Sequence, residues 1–458
     1  MNAASFDDTI AAVATPRGRS ALAVIRVSGP RAREILLEIA PSLRHSPEAL
    51  VPRRQHLLAV HHPHTGELLD RALATYFPAP NSYTGEEAVE VSTHGGDIAP
   101  QLVLDALLAA GSRLALPGEF TRRAVLNGKL DLLQAEAVGD VIDARSPAFH
   151  RAALHQIERG LSGRIDELRE RIIEVEALIS YGIDFPDEDE PPVPPQRILS
   201  VTEEALDQLR LVIGTAPQGQ MLRRGALVVL AGLPNSGKSS LFNALLGAER
   251  AIVTEIAGTT RDAIEADTTL AGYPFRLVDT AGLRETNDRV EALGVEVARR
   301  YLASADMILF CSEAGRPLVE EEVTFLARVQ CDAVLIRTKT DLGRSSARSA
   351  PGSIPVLELS VESGDGLGAL RDHLVRVSFG PALEAGDTPI VTSERQLRAL
   401  RQAEQELRSF REAFGEGLPP ELAATHLRAA TEFLEELIGA VTPDHVLGAI
   451  FNRFCVGK

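Results

Sequence analysis

Gly232-Leu-Pro-Asn-Ser-Gly-Lys-Ser239 fits the pattern G-x-x-x-x-G-K-[ST] and lies between an apolar run and an amphipathic segment. The apolar run, residues 226–231, predicts a buried strand, and residues 240–247 predict a helix closed by glycine. A glycine-rich loop between a strand and a helix directs consecutive backbone N–H groups at a polyphosphate. A turn that matches by chance is the alternative, but the flanking elements favour a nucleotide-phosphate site. Lys238 would reach the outer phosphates and Ser239 would bind Mg²⁺.

Composition indicates a folded protein with about three domains, because 458 residues exceed one ordinary core. The net charge of −17 argues against non-specific coating of nucleic acid, which needs clustered Lys and Arg, but it is compatible with a local RNA site. Cysteines are few, no apolar run is long enough to span a bilayer, and the first residues lack a signal-peptide profile. We therefore expect a cytoplasmic protein without a membrane span.

Periodicity divides the chain into regions. Alternating runs at 21–27, 68–77 and 87–91 predict strands of an α+β region with a helix at 100–110. A long helix is predicted by apolar residues spaced by fours and threes, namely Ile157, Leu161, Ile165, Leu168, Ile172, Val175 and Ile179. Its apolar seam packs within a bundle or against another chain, and we favour the bundle.

Helical patterns lie on both sides of the nucleotide module, at 201–213, 393–414 and 421–440. Because the termini of a domain often lie close together, this arrangement predicts that the module is inserted into one helical domain. The motif His61-His-Pro-His64 could suggest a metal site. Proline within it, and the absence of Cys or carboxylate at ligand spacing, favour a loop of exposed histidines.

Further nucleotide-binding elements follow the loop in order. Residues 254–262, Thr-Glu-Ile-Ala-Gly-Thr-Thr-Arg-Asp, form a polar segment that could offer a hydroxyl to Mg²⁺. Residues 266–278 predict a hairpin that runs into Asp279-Thr-Ala-Gly282. Strands at 307–310 and 333–336, with helical stretches between them, complete a doubly wound sheet whose ligand lies at the carboxyl ends of the strands.

The base is predicted from Thr338-Lys-Thr-Asp341, which directly follows a strand. A carboxylate there can accept hydrogen bonds from N1–H and the 2-amino group of guanine, which adenine does not offer in that arrangement. Ser360 and Val361 could close over the base. These elements together predict that the nucleotide is GTP.

Hydrolysis poses a problem, because Leu283 stands where the Ras-type template has a water-positioning glutamine. Either the protein is a poor hydrolase or its catalytic groups come from elsewhere. The polar residues nearby are candidates, although each could be a solvated loop charge: Arg284, Glu285, Asp288 and Glu291.

Beyond these motifs the chain resembles the MnmE (TrmE) family of tRNA-modification GTPases along essentially its whole length. The residues that carry the resemblance are Ile25-Arg-Val-Ser-Gly29, Pro80-Asn-Ser-Tyr-Thr-Gly-Glu86, His94-Gly-Gly96, Pro117-Gly-Glu-Phe-Thr121, Asn127-Gly-Lys-Leu-Asp131, Ile183-Asp-Phe-Pro186 and Cys455-Val-Gly-Lys458.

The resemblance implies a multidomain α/β fold. An N-terminal α+β folate-binding and dimerisation domain would span residues 1–119. A discontinuous helical domain would span 120–223 plus 381–458, and an inserted Ras-like GTPase domain 224–380.

The activity it implies is GTP-dependent formation of a (carboxymethyl)aminomethyl group at C5 of the wobble uridine in certain tRNAs. The expected assembly is a homodimer that forms a heterotetramer with a flavoprotein, MnmG (GidA). A one-carbon unit would come from 5-formyl- or methylene-tetrahydrofolate bound by Arg26, Glu90, Lys129 and Lys458.

In such a family GTP hydrolysis is activated when GTPase domains dimerise around K⁺, which replaces the arginine finger. The resemblance then assigns K⁺ to Asn235, Thr254, Ile256 and Thr259, and Mg²⁺ to Ser239 and Thr260. Glu291 would be the catalytic residue that orients the attacking water. The full implied GTP-binding set is Asn235, Ser236, Gly237, Lys238, Ser239, Ser240, Thr254, Glu255, Ile256, Ala257, Gly258, Thr259, Thr260, Asp279, Thr280, Ala281, Gly282, Thr338, Lys339, Asp341, Ser360 and Val361.

Thr338 departs from the family, which usually has asparagine there, so we expect weaker nucleotide affinity with the guanine preference intact. Cys455 is expected to pack near the folate pocket rather than to react. The competing function is a GTP-driven switch that docks on ribosomal RNA or a protein partner. The folate-like N-terminal region and the Cys-x-Gly-Lys motif favour the enzyme, since a docking switch more typically carries a basic RNA-binding appendage.

Overall fold

The computed structural model describes residues 7–44, 50–184, 194–247, 265–280, 299–343, 352–384, 389–439, 444–451 and 454–458. The chain divides into two compact units, one of residues 1–139 with 435–458 and the other of residues 140–434. Within the described ranges, no helix is long and apolar enough to cross a membrane.

The first unit is built on a six-stranded sheet with the order β3-β4-β5-β2-β1-β6. Neighbouring strands are antiparallel except β1 and β6, which are parallel. The strands are β1 Ile10–Val13, β2 Leu22–Ser28, β3 Gln55–His61, β4 Leu68–Phe77, β5 Ala88–His94 and β6 Arg113–Leu114. The helices are α1 Ala32–Ile39, α2 Pro41–Arg44, α3 Ala99–Ala109, α4 Glu119–Leu126, α5 Leu132–Asp143, which runs on into the second unit, and α15 Asp444–Phe451.

Alternation places one face of this sheet in the core. Ile25, Val27, Val89 and Val91 are buried and pack in one cluster with side chains of α1 and α3. Residues at the intervening positions, such as Arg26 and Glu90, point to the other face and are partly exposed. The strands predicted from the alternating runs at 21–27 and 87–91 are therefore confirmed.

A buried arginine ties three distant segments of this unit together. The Arg123 side chain is only 1% exposed and forms ion pairs with Asp8 at 2.6 Å, Glu86 at 3.2 Å and Glu119 at 3.1 Å. Burial alone would raise the pKa of Glu119. Hydrogen bonds from Arg113, the Leu116 N–H and Arg123 outweigh this effect and leave its pKa below the ordinary value. A buried charge is tolerated only when it is paired in this way.

The second unit contains a six-stranded sheet with the order β12-β11-β10-β7-β9-β8. All its neighbours are parallel except the β8–β9 hairpin. The strands are β7 Ala226–Ala231, β8 Glu265–Leu270, β9 Tyr273–Asp279, β10 Met307–Glu313, β11 Asp332–Thr338 and β12 Val356–Glu358. The helices are α6 Pro147–Ile157, α7 Gly160–Asp184, α8 Pro195–Gly214, α9 Ala216–Arg224, α10 Lys238–Leu246, α11 Glu320–Arg328, α12 Leu367–Glu384, α13 Glu394–Gly415 and α14 Pro420–Ile438.

This sheet is doubly wound, because both of its faces are covered. All six residues of β7 are buried. Val228 and Leu230 pack in one apolar cluster, whereas Leu227 and Val229 pack in another. A continuous apolar run, rather than an alternating one, is the pattern expected of a parallel strand with helices on both sides.

The helices before and after this sheet in the sequence associate with each other. The Arg411 guanidinium of α13 lies 2.8 Å from a Glu203 carboxylate oxygen on α8, and Arg210 on α8 lies 3.4 Å from Glu404 on α13. The chain thus leaves a helical group to form the sheet and returns to it. This contact supports an inserted module, while the domain boundaries given above stay predictions.

Three details of the sequence interpretation are wrong. His61, expected in a loop of exposed histidines, ends β3 and is half-buried. Ile157 ends α6 and does not belong to α7, because Arg159 has a φ of +70° and interrupts the helix. Cys455, which we expected to be packed, is exposed. The acidic proline-rich loop predicted after Asp184 falls almost entirely outside the described residues.

We predict that Arg123→Met destabilises the first unit by about 3–5 kcal/mol, because it leaves buried carboxylates without their cation. Hydrogen exchange of the β2 and β5 amides would measure the loss of protection. Arg122→Met is the matched control: Arg122 is the next residue on α4 and has no ion pair among the described residues. Equal protection in the two variants would contradict the prediction.

Candidate functional site

The phosphate loop turns where a side chain would not fit. Gly232 has a φ of +139°, and a β-carbon on it would lie 2.2 Å from the Cys311 carbonyl oxygen of β10. Gly237, with a φ of +86°, is the N-cap of α10. Both glycines are therefore required by the backbone, and the loop leads directly into a helix N-terminus.

Lys238 lies inside this loop. Its buried ammonium group donates hydrogen bonds to the carbonyl oxygens of Gly232 at 3.1 Å and Leu233 at 2.7 Å. The cavity beside it has a volume of about 830 Å³. Its lining includes Asn235 and Gly237 of the loop and Ser239 and Ser240 of the first turn of α10, together with Thr280 and Lys339. Positive charge and backbone N–H groups in one cavity suit a polyphosphate.

A hydroxyl and a carboxylate lie together at Ser239, the end of the loop where Mg²⁺ is predicted to bind. The Ser239 hydroxyl donates to a carboxylate oxygen of Asp279 at 2.6 Å, at the end of β9. The neighbouring Thr280 hydroxyl donates to the Leu230 carbonyl at 2.8 Å and so ties this end to β7. The described residues contain no group of three His, Cys, Asp or Glu side chains that could hold a metal. Mg²⁺ needs few protein ligands where phosphates supply the others, so the donors fit Mg²⁺.

At the base end the structure brings two predicted residues together. The Ser360 hydroxyl donates to a carboxylate oxygen of Asp341 at 2.6 Å. Lys339 has a φ of +58°, and its ammonium lies 3.6 Å from a Glu313 carboxylate oxygen. Val361 packs against the apolar cluster beneath. The hydrogen bond from Ser360 fixes the carboxylate that would read the guanine edge.

Thr338 connects the base end to the phosphate loop. It is buried at the end of β11, and its hydroxyl donates to the Ser236 carbonyl at 2.8 Å. The shorter side chain therefore still reaches the loop. The weaker nucleotide affinity that we expected from this departure stays a prediction.

The predicted folate residues lie in the first unit. The Arg26 Nε donates to Glu90 at 2.8 Å across the paired strands β2 and β5. Burial and the nearby Arg26 lower the pKa of Lys458, and Glu90 opposes them. Lys129 is exposed, and its stem passes Gly85, where a β-carbon would lie 3.1 Å from the Lys129 Cγ. Arg26, Glu90 and Lys458 thus form one cluster, with Lys129 against a neighbouring loop.

Comparison with known proteins covers both units. A family described as the GTP-binding protein TrmE N-terminus matches residues 9–129, and one described as the MnmE helical domain matches residues 132–455. The tRNA modification GTPase MnmE of Aquifex aeolicus is 39% identical over 454 residues, which are 98% of this chain and 100% of that protein. The chain belongs to the MnmE family.

Two other MnmE proteins are equally similar. That of Salinibacter ruber is 41% identical and covers 99% of this chain and 100% of its own length. That of Heliobacterium modesticaldum is 40% identical, and the match covers 98% of this chain and 99% of that protein. These matches confirm the family and the multidomain fold class expected from the motifs. Membership of the MnmE family also makes the chain a GTPase.

Part of the MnmE-type site falls outside the described residues. The predictions concerned are Thr254, Glu255, Ile256, Ala257, Gly258, Thr259, Thr260, Ala281, Gly282 and Glu291. For the described members the structure gives positions, and their individual roles stay proposals. Sequence reasoning assigned no role to Tyr83 or Arg123, although Tyr83 lies within a quoted motif.

We predict that Thr338→Val weakens GTP binding about tenfold, since it leaves the buried Ser236 carbonyl without its donor, a loss of about 1–3 kcal/mol. Titration calorimetry with GTP and with GDP would measure it. Thr340→Val is the control, because the half-buried Thr340 lies in the same segment and has no side-chain hydrogen bond among the described residues. Unchanged affinity in Thr338→Val would show that the tether is dispensable.

Proposed function

We propose that the protein uses GTP hydrolysis to form a (carboxymethyl)aminomethyl group at C5 of the wobble uridine in certain tRNAs, acting with the flavoprotein MnmG (GidA). The observation that carries the proposal is the presence, in one chain, of a phosphate-loop site and a separate Arg26–Glu90–Lys458 cluster. Full-length similarity to proteins named tRNA modification GTPases supports it.

GTP binds with its phosphates at the loop and its base at Asp341. Lys238 and the α10 N-terminus neutralise phosphate charge, and the Asp341 carboxylate accepts from the guanine N–H groups. Ser239 and Thr260 hold Mg²⁺. Asp279 accepts from the Ser239 hydroxyl and so orients it toward the ion.

K⁺ supplies the positive charge that an arginine finger supplies elsewhere. Asn235 is exposed in the phosphate loop in a left-handed conformation, with a φ of +60°, and lines the same cavity as Lys238 and Ser239, where its amide oxygen would bind the ion. Thr254, Ile256 and Thr259 complete the coordination when two GTPase domains of a homodimer meet. Glu291 orients the attacking water.

The one-carbon donor is 5-formyl- or methylene-tetrahydrofolate, held by Arg26, Glu90, Lys129 and Lys458. The donor set fits this ligand. The exposed Lys129 would match a carboxylate of its glutamate tail, and Glu90 can accept hydrogen bonds from the amino group and ring N–H of the pterin. Tetrahydrofolate, when bound, supplies the one-carbon group.

A strain that lacks the protein should lose C5-modified wobble uridines from its tRNA, and the gene supplied in trans should restore them. Mass spectrometry of tRNA nucleosides would measure this. An unchanged nucleoside profile would reject the tRNA-modification function. It would favour the second candidate, a GTP-driven switch that docks on ribosomal RNA or a protein partner.

GTP turnover should be higher in K⁺ than in Na⁺ by roughly 100-fold, the scale of one preorganised charge. Asn235→Gly should abolish this difference while GTP still binds, because glycine accepts the left-handed backbone and removes only the amide. Steady-state phosphate release in matched KCl and NaCl is the measurement. Asn243→Ala, an exposed asparagine on α10, is the control. Equal rates of the unmodified protein in both salts would refute the ion mechanism.

A further inference from the structure

Tyr83 places an aromatic ring beside the Arg26–Glu90 pair. The Arg26 guanidinium carbon lies 5.6 Å from the centroid of the Tyr83 ring, and Arg26 is bonded to Glu90 at 2.8 Å. The tyrosine is 38% exposed. A partly exposed aromatic ring therefore borders a cation and a carboxylate.

Hydrogen bonds hold the ring in this position. The Tyr83 hydroxyl lies 2.9 Å from the hydroxyl of Thr121, a fully buried residue of α4. The Asn127 side-chain amide donates to the Thr84 carbonyl at 2.8 Å, and Glu86 is paired with the buried Arg123. The ring is thus held at its hydroxyl, and the loop is fastened directly after it at Thr84 and Glu86, so the ring is preorganised.

The same helix also holds the segment that carries Lys458. The Phe120 N–H of α4 donates to the Lys458 carbonyl oxygen at 3.2 Å, and the Gly118 N–H donates to the Cys455 carbonyl at 3.4 Å. Gly457 approaches β1 so closely that a β-carbon would lie 2.6 Å from the Val13 carbonyl oxygen. Helix α4 therefore fixes Tyr83 and Lys458 with respect to each other.

We propose that Tyr83 is the aromatic wall of the pterin subsite and determines its specificity for a flat heterocycle. This inference rests on the folate-binding function proposed above. The pyrimidine part of a tetrahydropterin is planar and stacks on the phenol ring in an offset arrangement. Its amino and N–H edge points to Glu90, and Arg26 neutralises that carboxylate.

Calorimetry of the full-length protein with 5-formyltetrahydrofolate tests the proposal. Tyr83→Leu should weaken binding about tenfold or more, as for loss of one stacking partner. Tyr83→Phe and Tyr83→Trp, which keep a flat ring, should stay within about threefold of the unmodified protein. Tyr181→Leu, at a similarly exposed tyrosine of α7, should bind normally. GTP turnover should be unchanged in all four variants.

A merely structural role for Tyr83 predicts a different pattern. Phe and Trp would then fail to rescue Leu, or the melting temperature would fall in parallel with affinity, and either result overturns the proposal. A second ligand, 6-methyltetrahydropterin, lacks the benzoylglutamate tail. Tyr83→Leu should weaken its binding by the same factor. An unchanged affinity for this fragment would show that Tyr83 does not contact the pterin, and it would reject the proposal.

The two proposals can fail separately. If the unmodified protein does not bind 5-formyltetrahydrofolate, the folate function itself is wrong. If the unmodified protein binds it and Tyr83→Leu binds equally well, folate binding stands and only the role of Tyr83 is rejected.

Discussion

The turn at Gly232 is the constraint on which the nucleotide site depends. The backbone there runs so close to β10 that a β-carbon would lie 2.2 Å from the Cys311 carbonyl oxygen. Only this approach lets the loop leave the buried strand β7 and enter α10 with its N–H groups facing one cavity. Lys238, Ser239 and the Thr338 tether then take their positions from the loop. The chemistry of the site is therefore a consequence of a steric requirement in the sheet beneath it.

In the first unit, ion pairs rather than a tight turn hold the segments around the candidate site in place. Its candidate ligand residues Arg26, Glu90, Lys129 and Lys458 come from β2, β5 and two further segments that are far apart in sequence, and no tight turn joins them. Arg123 fastens the segment before β1 and the loop before β5 to α4 through Asp8, Glu86 and Glu119, because a guanidinium offers five donors in a fixed plane and can satisfy several carboxylates at once. Since an unpaired charge in that environment is costly, the network permits few alternative arrangements of these segments.

The sequence predicted the features that depend on neighbouring residues, but not those that depend on contacts between residues distant in sequence. Local periodicity located β4 at Leu68–Phe77 without error, and the helical pattern at 393–414 located α13, Glu394–Gly415, to within one residue at each end. The period could not reveal that Arg159 adopts a φ of +70° and separates Ile157 from α7. Nor could it distinguish the buried Arg123 from its neighbour Arg122, because the partner Asp8 lies at the far end of the domain in sequence. Motifs identified the phosphate site, yet the Thr338–Ser236 bond depends on how β11 lies against the loop.

The two candidate sites share one principle of recognition. Guanine and a pterin both present a 2-amino-4-oxopyrimidine edge, and a carboxylate is the natural acceptor for its N–H groups. A free carboxylate can rotate, so each site needs a second group that holds it. Ser360 donates to Asp341 at 2.6 Å, and Arg26 donates to Glu90 at 2.8 Å. A neutral hydroxyl leaves the full charge of Asp341 for the base. Arg26 offsets that of Glu90, so the proposed pterin site would have to gain more of its affinity from stacking and from the tail.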